Sequence, residues 1–561
     1  MVFDKIRALL SIAVLVEPLF VACTSTSQLF EGSPFARSCF PTGESNATSA
    51  FNSDACKTVR AGYSNETLRF NTIGGYINTQ WETCQATGEQ CLLDFTNPSN
   101  IKAVESPFQC RNGSVPRYFV NVTSPEDIVF GLKSSRDLGL PLIVKNTGHD
   151  YKGRSSAPGS IALWMHHLQK IEHDTNFVPE GCSASSEHNA VTIGAGVQFK
   201  DLYAFAEANS FTFVGGSDNG VGASGGWVQG GGHGALSNTM GLGVDRVLEF
   251  KVVITNGTLL TANACQNTDL FFALRGGGGG TFGVVYESTH LVSPPVTLQV
   301  AAVLLSQTNS TLTKGLWKVI IDNSLRWTQE GWGSFVTADS ALFLNPVLNS
   351  SEANISMLPL LDFGENLNKS GVAGVEVLFQ EFPSWGTFFS TFSGTDSAAI
   401  GESLALASRL IPEDNFATND SRQALLDALL AAEEASPGVR FLGSTPFNFA
   451  GDGMTSVTDA WRTSIYHVTL IAPFNYNATL EEKKGNYSLA SQSIDNLRRL
   501  TPDAAYSNEA DVHEPNHEVA FWGNHYDKLL GIKRAYDPDH ILDCWQCVGW
   551  NPSDPRFQCY I

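Results

Sequence analysis

The sequence predicts an α+β chain built as a mixed strand-and-helix domain over residues 115–297, a separate α+β domain over 298–500 and a tail over 501–561. Three observations lead there. Strand and helix signals alternate through the first block. Glycine is abundant, 51 of 561 residues, but its density falls from about 298 to 500. The tail then turns to aromatic, His-rich and Cys-rich sequence.

The elements follow from local chemistry. Tyr118-Phe119-Val120 reads as a short strand. Ser124 caps a helix that runs from Pro125 to Leu138, with Pro at its first position, acids in its first turn and Gly139 as its stop. Leu140–Lys145 is a buried strand that ends at Asn146-Thr147-Gly148-His149. Strands are expected at Ser160–Trp164, Ala190–Ile193 and Thr212–Val214, with a helix at Phe199–Asn209. Glu249–Thr255 turns at Asn256-Gly257 and pairs with Leu259-Leu260, and Val284–Val292 alternates as a further strand. Beyond 298, helices are expected at Gly315–Thr328, Glu402–Leu410, Asp420–Glu434 and Leu480–Arg499. Strand-like runs lie at Ala301–Leu305, Ser334–Phe343, Val375–Phe379 and Ile465–Leu470.

Apolar residues make up 42% and charged residues 16%, so large cores can form. The formal charge of −21 argues against nucleic acid and anionic membrane as partners. The apolar run Ala8–Ala22, broken by Glu17 and Pro18, is too short to span a bilayer and fits a signal peptide over residues 1–23. Twelve Asn-x-Ser/Thr acceptors point to the secretory route: Asn46, Asn65, Asn112, Asn121, Asn256, Asn309, Asn349, Asn354, Asn368, Asn419, Asn477 and Asn486. Of eleven cysteines, ten follow Cys23, and an even number in an oxidising compartment suggests disulfides. Five of them crowd into the Cys-rich, loop-like segment 24–114. Their connectivity cannot be read from spacing. Cys544-x-x-Cys547 lacks both a second ligand pair for zinc and a thioredoxin-like setting, so a structural disulfide is the better reading. The histidines offer no clear metal site either: His166 and His167 are adjacent, and His513 and His517 lack a third ligand.

The chemistry concentrates in two glycine runs, Gly215–Gly234 and Arg275–Gly283. Glycine lets backbone amides approach a ligand, and successive amides form an anion-binding concavity, which suits a cofactor with a pyrophosphate. Gly220-x-Gly222-x-x-Gly225, with Asp245 twenty residues beyond, fits the dinucleotide fingerprint. A Rossmann turn must open a helix, however, and Gly226, Gly230, Gly231, Gly232 and Gly234 fill the next turns. Three interior glycines alone would cost a helix roughly 3 kcal/mol. No Gly-Lys-Ser/Thr follows either run, so a Walker loop is excluded.

Lys145–Gly153, Gly230-Gly231-Gly232-His233-Gly234 and Leu274–Gly279 resemble, in order, motifs of the FAD-linked oxidases of the vanillyl-alcohol oxidase and berberine-bridge-enzyme-like superfamily. Phe521–Leu529 with Ile532–Pro538 is similar to its closing segment, and the nearest likeness is to secreted fungal members such as those called isoamyl alcohol oxidases. The resemblance implies a PCMH-type FAD-binding domain made of residues 24–297 and the tail 501–561, with the 298–500 substrate domain inserted over the isoalloxazine ring.

It also implies roles. His149 matches the histidine linked to the flavin 8α-methyl group; such a bond retains FAD outside the cell and makes the ring a stronger oxidant. Some relatives add a bond from a cysteine upstream of the middle run. Here that position reads as Asn219, and no cysteine lies from 183 to 264, so a single histidyl linkage is expected. The implied cofactor contacts are Lys145, Asn146, Thr147, Gly148, Asp150, Ser155, Asn219, Gly220, Gly222, Ser224, Gly225, Gly226, Gly232, His233, Val284 and His525. Relatives usually carry Asn at the position of His525, which puts that contact in question. Tyr506-Ser507-Asn508-Glu509 resembles a tail segment facing the ring, so Tyr506 and Glu509 are the catalytic candidates. A carboxylate buried there is expected to have a raised pKa and take an alcohol proton. A structural hydrogen-bonding acid is the other reading of Glu509, and His513, His517 and His525 are alternatives as base. The activity implied is oxidation of a small molecule, an alcohol or secondary metabolite, with oxygen as acceptor and hydrogen peroxide as product. A dehydrogenase or oxidative cyclase on the same scaffold, and a noncatalytic flavin-binding protein, are the competing readings.

Overall fold

A computed structural model describes residues 28–42, 46–392 and 399–561; the expected signal peptide lies outside them. The chain forms three sheets in sequence. The first takes strands β1 (Phe30–Glu31), β2 (Tyr118–Asn121), β3 (Leu142–Lys145) and β4 (Ile161–Trp164), in the order β1-β2-β4-β3. β4 pairs in parallel with both β2 and β3. The second takes β5 (Ile171–Phe177), β6 (His188–Gly194), β7 (Val247–Val253), β8 (Leu259–Asn263) and β9 (Val284–Leu291), antiparallel in the order β5-β6-β9-β7-β8. The third takes β10 (Leu298–Leu305), β11 (Gly333–Val336), β12 (Ser340–Asn345), β13 (Val375–Phe382), β14 (Ser403–Pro412), β15 (Arg440–Gly443) and β16 (Ser464–Phe474). Its order is β13-β10-β12-β11-β15-β16-β14.

The α+β class is the one the sequence predicts, and many elements match their local signals. The Pro125–Leu138 helix has a capping box in which Asp127 Oδ2 accepts from the Ser124 amide at 3.0 Å, and Gly139 ends it at φ 63°. That helix and β2–β4 share one core built on Val120, Ile128, Leu132, Leu142, Ile161 and Leu163. The Glu249–Leu260 hairpin forms as expected.

Other expectations are corrected. Residues 403–412 form β14, where a helix was expected over Glu402–Leu410. Leu and Ala favour helices, yet the residues alternate with period two: Ala405 and Ala407 enter the core between the third sheet and its helices, while Leu404 and Leu406 face a cleft on the other side. Burial on both sides overrides the propensity. Ser334–Phe343 is a hairpin of two strands, and Leu480–Arg499 breaks at Ile494 into two helices. Thr212 makes a lone bridge to Ser293 in place of a strand. A helix that the sequence reading did not place runs over Ser350–Lys369, continuous through Pro359. The Cys-rich segment, read as loop-like, carries short helices, among them Asp54–Ala61 and Glu66–Phe70.

The tail packs on the second sheet. Phe521, Trp522, Leu529, Ile532 and Val548 share a core with Phe250, Val252, Leu270 and Phe282. Trp522 Nε1 donates to the Gly276 carbonyl at 3.1 Å, and Lys533 Nζ donates to the Thr281 carbonyl at 2.8 Å, so the tail braces the second glycine run. Arg409 on β14 and Glu514 of the tail form a fully buried pair at 2.9 Å. All ten described cysteines are paired: Cys39–Cys56, Cys84–Cys559, Cys91–Cys110, Cys182–Cys265 and Cys544–Cys547. No described helix is long and apolar enough to cross a membrane.

Candidate functional site

One cleft runs between the first two sheets, the glycine runs, the face of β14–β16 and the tail. The strand end after β3 enters it first. Gly148, at φ 93°, turns the chain so that Thr147, His149 and Asp150 line the cleft. Asn146 lies beneath, its Nδ2 donating to the Ala195 carbonyl at 2.5 Å. A Cβ on Gly222 or Gly225 would sit 2.5 or 2.3 Å from that Nδ2, so the glycine run reaches the strand end only because both positions lack side chains. A Cβ on Gly226 would meet nothing within 4 Å, since it points into the cleft.

The fit to a dinucleotide flavin is testable on these residues. Asn146 Oδ1 and Gln229 Oε1, both of cleft-lining residues, are buried acceptors with no protein partner. Gly279, Gly280 and Gly283 of the second run line the same cleft. Glycine backbone along the cleft beside buried, unpartnered acceptors suits a large polar ligand that brings hydrogen-bond donors.

His149 stands at a node of two acids. Its Nε2 lies 3.1 Å from Glu66 Oε1 and 3.2 Å from Asp218 Oδ1. Burial works to lower its pKa, but the Asp218 and Glu66 carboxylates raise it to about 9. Burial raises Glu66, while His149 holds Asp218 far below the usual carboxylate range against its own burial. Neither acid was singled out from sequence. Glu66 sits in the segment read as loop-like; Asp218 lies in the glycine run, one residue before Asn219.

A second node brings together His233 of the first glycine run, His467 of β16 and Glu509 of the tail. Glu509 Oε1 is 3.2 Å from His233 Nε2, and Oε2 is 2.9 Å from His467 Nε2. His233, Glu509 and Tyr506 line the cleft, and Trp461 stacks on His233 at 6.0 Å between ring centroids. Burial alone would raise Glu509; His233 and His467 instead hold it well below the usual range. The expectation of a raised Glu509 pKa is therefore corrected: the acid is a fixed anion. Burial lowers the pKa of His467, which β16 places there and which sequence alone did not mark. The Tyr506 hydroxyl accepts from Asn508 Nδ2 at 2.7 Å, and burial raises its pKa above the usual phenol value.

The cleft is lined by Asn146, Thr147, Gly148, His149, Asp150, Ser155, Gly222, Gly225, Gly226, His233, Val284, Tyr506 and Glu509 of the expected set. Six others stand behind it. Lys145 Nζ turns away to donate to the Ile73 and Gly75 carbonyls at 2.7 Å each. The Asn219 carbonyl accepts from the Lys200 amide and Asn219 does not line the cleft, whereas its neighbour Asp218 does, against the His149 ring. Gly220 is pressed against Phe70, where a Cβ would lie 1.9 Å from the ring. Ser224 is buried against Ser288 at 2.7 Å. Gly232, at φ 74°, backs onto the Trp227 ring. His525 Nδ1 lies 3.1 Å from the Val457 carbonyl, away from the cleft. Ser155 donates its hydroxyl to Asp150 at 2.6 Å, holding the loop after His149 in shape. The Rossmann reading fails in the structure too: the helix that follows Gly225, Gly226–Gln229, is only four residues long, and Asp245 pairs with Arg462 at 2.7 Å.

Two family models match the chain: an FAD binding domain over residues 116–263, and a berberine and berberine-like segment over 505–548. The chain is 35% identical to the FAD-linked oxidoreductase ffsJ of Aspergillus flavipes, over 94% of this chain and 91% of that protein. It is 32% identical to the FAD-linked oxidoreductase OXR2 of Pyricularia oryzae, over 95% and 92%. Among solved structures it is similar to the VAO-type flavoprotein MtVAO615 of Myceliophthora thermophila, with a TM-score of 0.80 and 26% identity, covering 93% of this chain and 92% of that one. A glucooligosaccharide oxidase of Acremonium strictum shares the fold, with a TM-score of 0.62 and 20% identity over 77% and 91%.

Two outcomes are expected at the His149 end. Gly222→Ala drives a Cβ into Asn146, so flavin bound per mole of purified protein falls below about half while far-UV circular dichroism is unchanged. In flavin-free protein, the His149 contribution to stability is complete below its ordinary pKa of 6.5 and is lost as pH rises through about 9. The urea midpoint therefore falls across that window, and His149→Gln flattens the fall.

Proposed function

We propose, from the premise that this chain belongs to the FAD-linked oxidoreductases of the vanillyl-alcohol oxidase and berberine-bridge-enzyme-like family, that it is a secreted oxidase of a small alcohol. Its FAD is held by a single covalent bond to His149, and oxygen is the electron acceptor. The observation that carries this reading is that one cleft holds both His149 and the His233–Glu509–His467 node. When bound, FAD supplies the hydride acceptor for the substrate carbon and is reoxidised by oxygen with release of hydrogen peroxide.

The chain's own residues do the rest. The amides and side chains of 146–150 and the glycines at 222, 225 and 226 hold the cofactor. Both acids address His149 Nε2, which leaves Nδ1 as the ring nitrogen for the covalent bond. With no cysteine from 183 to 264 and Asp218 at the ring, a second, thioether link has no donor in that run. At the other node, Glu509 fixes the orientation of both rings and balances positive charge as it develops. His233 is the ring of the pair that opens to the cleft, and it takes the substrate hydroxyl proton. Tyr506 and Trp461 exclude water around it. Secretion is supported by the five disulfides and by exposed sequon asparagines such as Asn46, Asn112, Asn256 and Asn477.

The test is stopped-flow reduction of the purified flavoprotein by candidate alcohols without oxygen, followed by admission of air. Rapid recovery of colour with stoichiometric peroxide is expected; colour that stays bleached in air overturns the oxidase reading. Glu509→Gln is expected to slow reduction about 10²–10³-fold with flavin content retained, and an unchanged rate removes the node from catalysis. Acid-precipitated protein is expected to keep its yellow colour, and His149→Ala to lose it. A cysteinyl-flavin peptide in a digest would contradict the single link.

A further inference from the structure

The register of the third sheet decides what a substrate meets beyond the catalytic node. His467 stands opposite Leu410 on β14 and Leu442 on β15; Thr469 stands opposite Ser408 and Arg440; Ile471 stands opposite Leu406. Side chains alternate along a strand, so these residues share one face with His467. From that face Leu404, Leu406, Arg440, Leu442, Thr469 and Ile471 line the cleft. Leucine and isoleucine dominate the set. Arg440, its charged member, is itself engaged in an interaction within the protein. The wall thus carries Leu442 at the His467 rung, the polar Thr469 and Arg440 at the next, and an aliphatic strip of Ile471, Leu406 and Leu404 beyond them.

We propose that the substrate is an alcohol with an apolar body, its carbinol at the His233–Glu509–His467 node and its body laid along Leu442, Ile471, Leu406 and Leu404, and that saccharides are rejected. The proposal rests on the alcohol-oxidation reading above and adds the substrate class. An alkyl or aryl body gains free energy as its apolar surface leaves water for this strip. A sugar carries hydroxyls around the whole rim of its ring. Against leucine and isoleucine each of those would lose water and find no partner, so the same burial disfavours it. Thr469 and the Arg440 rung allow a polar substituent one step along the strand from the reacting carbon, and the strip beyond them does not.

The experiment uses the full-length, flavin-loaded protein and reads binding from perturbation of the flavin absorbance without oxygen. The probes are 1-butanol, 1-hexanol, 1-octanol and cellobiose, and bleaching is recorded separately. The dissociation constant is expected to fall about four-fold per added methylene, and cellobiose is expected not to displace 1-octanol. Leu406→Asn, with flavin content retained, is expected to weaken 1-octanol at least ten-fold and to flatten the chain-length dependence. Affinity independent of chain length in the unmutated protein, or displacement of 1-octanol by cellobiose, overturns the proposal. Chain-length-dependent binding without bleaching upholds the apolar strip and removes the alcohol-oxidation reading. Bleaching by cellobiose alone upholds oxidation and removes the strip as the substrate wall.

Discussion

The contact between Asn146 and the middle glycine run is the constraint on which the cleft depends. The strand end must carry a polar side chain inward, and the run must pass within van der Waals distance of it. Only Gly222 and Gly225, without Cβ atoms, allow that approach. With the run seated there, Asp218 reaches His149 from one side and Gly226 opens toward the cleft from the other. The second run is held against the first, with a Cβ on Gly279 placed 3.0 Å from the Gly226 Cα. The tail locks the second run in turn through Trp522 and Lys533.

The two histidine nodes at the cleft solve the same electrostatic problem in opposite ways. At His149 two carboxylates surround one ring, and the ring gains the proton. At Glu509 two rings surround one carboxylate, and the carboxylate loses it. In both, charge that burial would disfavour is kept by a partner within hydrogen-bonding distance. The contrast leaves a ring anchored through one nitrogen at the first node, and a negative charge behind a ring open to the cleft at the second.

Much of this was legible in the sequence wherever short-range chemistry decides the outcome. The cap at Ser124, the stop at Gly139, the Asn256-Gly257 turn and the two glycine runs all act within a few residues. The glycine runs pointed to a cofactor with a pyrophosphate, and the resemblance carried by the ordered motifs implied FAD. What escaped depended on long-range placement. The strand at 403–412 is set by burial on both sides, which Leu and Ala content conceals. Lys145 lies next to Asn146 in sequence but faces the carbonyls of residues 73 and 75, because neighbours on a strand point to opposite sides. The depressed pKa of Glu509 required His467, 42 residues away on another element, to be placed beside it. Asp218 carried no local signal, because only the path of the loop turns its side chain toward His149.

The bridge between Cys84 and Cys559 joins residues 475 positions apart, and the whole of the third sheet lies within the loop it closes. Oxidation at Cys84 therefore cannot reach its native partner until every strand of the third sheet has been synthesised. Until then its thiol must wait unpaired or pair wrongly with Cys91 or Cys110 nearby. The native bridge thus closes only once the chain has been made as far as Cys559, and wherever Cys84 has paired wrongly first, thiol–disulfide exchange must release it.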